Sequence, residues 1–271
     1  MTVTIRPAAT GVALFWLAAF MFASANDAYA IVKGSSSSLE RHTLRIVRGG
    51  IRCSGVAVAR NLVVTAGHCG ARGTVIGGGT HIAIAGASRS ATLDDGRRIS
   101  VSGDAIIARL ARPLPAAITP VTVGEGNGES YTIAGYGTAD ERHRGAFGQL
   151  REARLVAAER FALVDPDRSG SISASACFGD SGGPVLRGAQ LVGIVTRAAH
   201  PHPRIACGHL TRWAPVTVSG EASTSGHATA PNQVLPATIA EAPRRTLKRQ
   251  KHAKRAHPQW PWFWRTVSTR R

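Results

Sequence analysis

The chain has no Cys-x-x-Cys pair, so its four cysteines lack the spacing of a structural zinc site. It has no internal repeat of fixed period, which argues against a repeat architecture. It carries no RNA- or DNA-binding motif, so its formal charge of +17 does not point to nucleic acid as a partner. Helical periodicity is scarce, and the one stretch that suggests it runs from Leu150 to Phe161. Acidic residues are missing altogether from Arg244 to Arg271, where ten Arg or Lys stand. More than half of the excess charge therefore sits in that terminal stretch, which describes a globular body with a basic tail.

A long membrane-spanning run is also missing. Gly11 to Ala23 is apolar but short for a span, and no stop-transfer flank follows it. With Arg6 before it and small residues after it, the segment reads as an export signal covering residues 1–30. Cleavage fits after Ala30 (Ala28-Tyr29-Ala30) or after Ala25 (Ala23-Ser24-Ala25). The chain is thus expected in a periplasmic or extracellular compartment. There, an even count of cysteines implies disulfides, with three pairings open.

What is present is enough for one large domain. Hydrophobic residues make up 44% of the 271 positions, sufficient for a core, and 30 glycines favour turns over long helices. From residue 31 to 218, short β-branched runs alternate with glycine-bearing turns. Leu44–Val47, Gly55–Val58, Leu62–Val64, Thr74–Ile76 and His81–Ile84 are the early ones. Ala105–Ala108, Tyr131–Ala134, Pro184–Leu186 and Gln190–Val195 follow. Their length and spacing predict an all-β sandwich or barrel. Residues 219–243, rich in Ser, Thr, Ala, Gly and Pro, read as a linker. The basic aromatic tail, 244–271, contains Trp260-Pro261-Trp262-Phe263-Trp264. It suits contact with an anionic surface, guidance of secretion, or no role beyond solvation, and surface contact is the preferred reading.

Two segments carry the chemistry: Thr65-Ala66-Gly67-His68-Cys69 after an apolar strand, and Gly179-Asp180-Ser181-Gly182-Gly183-Pro184. A serine hydroxyl needs a neighbouring base to take its proton, and flanking glycines let peptide N–H groups turn toward a developing oxyanion. Both segments resemble the signatures of the trypsin/chymotrypsin family of serine proteases, in that family's order. The resemblance spans nearly all of 31–218. It implies two six-stranded antiparallel β-barrels with the active site in the cleft between them, and a monomer that hydrolyses protein or peptide substrates without metal or cofactor.

The same resemblance assigns roles. Ser181 is the nucleophile, His68 its base, and the N–H groups of Gly179 and Ser181 the oxyanion hole. Asp104, leading into Ala105–Leu110, is the third triad member, held beside the imidazole and shielded from water. Asp94 and Asp95 compete for that role but sit in a polar turn before Gly96. The implied disulfides are Cys53–Cys69 and Cys177–Cys207. Ile31 resembles the family's mature N-terminus, whose ammonium would pair with Asp180. Ser175 would floor the specificity pocket and Ala198 and Gly208 would line its walls, favouring an apolar or small side chain. Arg197 stands where the family has tryptophan, which makes the neighbouring subsite basic.

Weaker signals take plainer readings. Asp165 to Gly170 imitates a calcium loop, but Ala176 occupies the position of the expected Glu, so a turn is expected. His200 and His202 read as an exposed loop, not a metal site. A catalytically silent relative that binds through its tail is the rival to the protease, and the intact set of three catalytic residues argues against it. An esterase using the same residues is the third reading.

Overall fold

A computed structural model describes residues 30–139, 141, 147–167 and 170–220. The export signal up to residue 29, the linker from residue 221 and the basic tail lie outside the described residues.

The first half of the chain supplies β1 (Ser35–Ser36), β2 (Thr43–Arg48), β3 (Ile51–Ala59), β4 (Leu62–Ala66), β5 (Thr74–Gly77) and β6 (Thr80–Ser88). It continues with β7 (Ser90–Thr92), β8 (Arg98–Val101) and β9 (Ala105–Leu110). The second half supplies β10 (Ser130–Gly135), β11 (Arg151–Glu159), β12 (Ala162–Val164), β13 (Pro184–Arg187), β14 (Gln190–Ala199) and β15 (Leu210–Ser219). Strands β2-β3-β4-β9-β6-β5 close one antiparallel barrel. In the second barrel, β10 pairs with β11 and β13, β14 with β13 and β15, and β12 joins β11 to β15. The two six-stranded barrels expected from the sequence are there, and every run named above as a strand is one.

Alternation sets the faces. In β6, Ile82 and Ile84 turn inward while His81 and Ala83 face out. Strand β4 is buried at all five positions because the first barrel's interior covers one face and the second barrel lies against the other. One apolar cluster accordingly runs from Leu44, Val56 and Ile107 in the first barrel to Leu191, Ile194 and Val216 in the second. Each large side chain so buried stabilises the fold by about 1.5–3 kcal/mol.

Leu150 to Phe161 is not a helix. Its central part is β11, with Ala153 and Leu155 buried on one face and Arg154 exposed between them. Pairing with β10 on one side and with β12 and β1 on the other fixes a two-residue period, and this overrides the local pattern.

The β7–β8 hairpin does not join the first barrel. It extends β15, pairing Val101 with Val216 and Ile99 with Val218. This stitch between the halves leads directly into the turn that precedes Asp104.

Candidate active site

His68 lies on the short 3-10 turn Gly67–Cys69 that follows β4. Asp104 immediately precedes β9, whose Ala105 pairs with Ala66 of β4. This register brings the two together: the His68 N–H donates to Asp104 Oδ1 at 3.1 Å, and Nδ1 lies 2.6 Å from Oδ2. Gly67 is needed here, since a Cβ at this position would meet Asp104 Oδ1 at 2.6 Å. The expected shielding of the carboxylate is not found. The side chains of His68 and Asp104 are 46% and 47% exposed. The reason is the short connection from β8, in which only Ser102 and Gly103 precede Asp104, and none of the described residues folds over it. Asp95, the competing acid, is engaged elsewhere. Arg97 Nε lies 2.7 Å from its Oδ2 and holds its carboxyl below the usual range.

The Ser181 segment is fixed from both barrels. Gly182 N donates to Val195 O at 2.7 Å, and Val195 N to Gly183 O at 2.8 Å. From the first barrel, Ser54 N donates to Ser181 O at 2.8 Å, and Ser54 Oγ donates to Gly179 O at 2.9 Å while accepting from Tyr136 N. Ser54 is fully buried, and nothing in the motif analysis pointed to it. Gly182 has φ 85° and its missing side chain would strike Ser54 O and Thr65 Oγ1, so no other residue fits the turn. The Ser181 hydroxyl donates to Thr196 O at 3.4 Å. Among the described residues, the N–H groups of Gly179 and Ser181 bond to no acceptor.

Ser181, His68 and Asp104 line one cavity of about 500 Å³. Of the three residues expected around the specificity pocket, Ala198 lines this cavity, beside the Cys177–Cys207 bridge and Ala206. Ser175 and Gly208 do not. Ser175 is fully buried, with its Oγ accepting from Gly208 N at 2.7 Å and donating to Ala176 O at 2.9 Å. Gly208 follows Cys207 directly, and its bond to Ser175 holds the two together outside the cavity lining. The disulfides are Cys53–Cys69 and Cys177–Cys207, and no free cysteine remains.

Asp180, beside Ser181, is fully buried. Burial pushes its carboxyl up to about 7, against the opposing effect of N–H donors from Cys177, Gly137 and Ile31. The Ile31 N–H donates to Asp180 Oδ2 at 3.3 Å, as a backbone amide of the uncut chain and not as the ammonium that the resemblance implies. Here the chain continues through a buried Ala30, and Ile31 carries φ 51°. That is a strained conformation for a β-branched residue.

Other candidates resolve differently. Cys53, His68 and Cys69 approach one another, but both sulfurs are spent in the disulfide, leaving no thiolate for a metal. Asp165 accepts the N–H groups of Asp167 and Ala174, as a turn does. His200 uses one ring nitrogen to accept from His202 N and places the other 3.3 Å from Ser171 O.

A family model described as trypsin matches residues 31–217. The chain belongs to the trypsin family. Trypsin iota of Drosophila melanogaster is 30% identical over 175 residues, which cover 53% of this chain and 67% of that protein. The structure of neuropsin, described as a serine protease expressed in the limbic system of mouse brain, has a TM-score of 0.51 at 20% identity. The match covers 68% of this chain and 94% of neuropsin. At that identity the likeness supports the fold alone. As a trypsin-family member the chain is a serine endopeptidase, acting on protein or peptide substrates.

Proposed function

We propose that this protein is an exported endopeptidase working through Ser181, His68 and Asp104. The observation that carries the reading is the meeting of all three in one cavity, with the imidazole already 2.6 Å from the carboxylate. His68 takes the Ser181 proton as Oγ attacks the scissile carbonyl, then delivers it to the leaving amine. Asp104 orients the ring and stabilises the imidazolium. The N–H groups of Gly179 and Ser181, not committed to any described acceptor, receive the oxyanion. The Ser181 hydroxyl moves from Thr196 O to His68 when substrate enters, a tightening common in this chemistry.

Beyond Ile194, β14 pairs with β15 alone, which leaves the edge at Thr196 to Ala198 open to an extended peptide. Ala198, Ala206 and the Cys177–Cys207 bridge in the cavity wall, with Ser175 and Gly208 outside it, support a small apolar side chain at the scissile residue.

Cleavage after Ala30 is the activating cut. It converts the Ile31 amide into an ammonium facing Asp180, and it frees Ile31 from a φ constraint worth about 1–3 kcal/mol. The disulfides fit the oxidising compartment to which the N-terminal segment directs the chain.

The test is labelling of the exported protein with a fluorophosphonate probe. Labelling is expected in the parent and absent in Ser181→Ala. A folded, correctly cut protein that resists the probe would overturn the assignment.

A further inference from the structure

Two guanidinium groups line the cavity that holds Ser181: Arg52 from β3 of the first barrel and Arg197 from β14 of the second. Each springs from backbone bonded to the serine segment. Arg52 lies two residues before Ser54, whose N–H holds Ser181 O. Arg197 follows Thr196, whose carbonyl holds Ser181 Oγ. A peptide that brings its scissile bond to Ser181 therefore passes one arginine on each wall.

Both arginines are exposed, and neither has an ion pair or hydrogen bond among the described residues. Arg52 lies over the Phe147 ring at 5.7 Å, a contact that leaves its N–H donors free. The cross-strand neighbour of Arg197, Arg212, takes Glu159 for itself at 3.1 Å. The acids nearby are committed. Asp104 is the one carboxylate in the cavity wall, and His68 occupies both of its oxygens. Glu141 accepts the N–H groups of Ala206 and Cys207 at the rim. The cleft thus offers two free planar donors suited to carboxylates, with no described acid to satisfy them.

We infer that this site selects peptide substrates bearing acidic residues on both sides of a small scissile residue. The inference rests on the Ser181 protease reading and adds its substrate class. Because both guanidinium groups are wet, each contributes modestly, roughly a twofold to fivefold preference per flanking carboxylate, and salt weakens it. The same field speeds the encounter with acidic peptides.

The experiment uses the full exported chain and quenched fluorescent peptides that differ only by Glu, Gln or Lys at one flanking position. Expected kcat/KM falls in the order Glu, Gln, Lys on each side, and the spread narrows at about 0.5 M salt. Arg197→Gln is expected to erase the preference on one side of the bond and Arg52→Gln on the other. Equal rates for Glu and Gln peptides overturn the inference. So does a preference that survives both substitutions, which would place it in the basic tail that both variants keep. Fluorescence anisotropy of the same peptides on Ser181→Ala reads the charge preference without catalysis. Failure of the protease reading shows separately, as loss of probe labelling, while the binding order still decides the substrate class.

Discussion

His68 and Asp104 come from the first barrel and stand nearly half exposed, joined by the register of two neighbouring strands. The Ser181 segment comes from the second barrel and rests on a fully buried carboxylate, Asp180, which accepts N–H groups from Gly137, Cys177 and Ile31. The first pair is assembled by strand pairing alone. The second is assembled by burial, so its stability depends on the charge state of Asp180 and of the group facing it. Under the proposed mechanism, such a protein holds its base ready while its nucleophile awaits a cut in the chain.

Substitutions can break or sharpen this contrast. Removing the nucleophile or base should have the largest effect: Ser181→Ala or His68→Ala is expected to cost about 10⁶-fold in kcat on a peptide substrate. Asp104→Asn should cost less, roughly 10²- to 10⁴-fold, because water around the exposed pair takes over part of the carboxylate's role. A loss as large as that of Ser181→Ala would show that Asp104 is shielded after all.

Asp180→Asn should destabilise the cut chain by about 3–5 kcal/mol, by leaving the Ile31 ammonium buried without its partner. The uncut chain should lose less, since it buries no ammonium there, although the amide NH2 replaces one of the two oxygens that accept N–H groups. Paired denaturant melts of the two forms, both carrying Ser181→Ala to prevent self-digestion, measure the difference. Equal losses in both forms would remove the special role of the cut.

Replacing either cysteine pair by alanine should cost about 2–4 kcal/mol. Cys177–Cys207 closes 30 residues against 16 for Cys53–Cys69, which makes it the costlier by only about 0.5 kcal/mol. A much larger gap between them would mean that the second barrel relies on its bridge for more than chain entropy.

An effect of about 2–3 kcal/mol, comparable with the loss of a bridge, is expected from the pH dependence of the uncut chain. Asp180 titrates near 7 in the fold against 3.8 unfolded, so the folded state holds the extra proton between these values. Its contribution is fully present below about 3.8 and is lost as pH rises through about 7. The melting temperature of the uncut Ser181→Ala chain should therefore drop between pH 5 and pH 8, and the cut chain should resist that drop. Thermal melts at both pH values on both forms decide it.

Much of this was legible in the residues. The β-branched runs at Gly55–Val58 and His81–Ile84 specify strands through local sterics and alternation, and both motifs name the side chains proposed as catalytic. Leu150 to Phe161 misled because its period is set by β10 and β12, distant in sequence. The exposure of Asp104 follows from what fails to fold over it, and no motif encodes that. The burial of Ser175 behind the Cys177–Cys207 bridge depends on Gly208 reaching it across 33 residues. Ser54, clamping two carbonyls of the serine segment, was invisible because a serine after a cysteine has no signature of its own.

By itself the sequence determined the strands, the family and the candidates for the reacting groups, because these follow from side-chain chemistry and short-range backbone preference. Only the tertiary structure decided which residues line the cavity, how wet its acid stands and that Arg52 and Arg197 share its walls. Those properties arise from packing between residues that the chain keeps far apart.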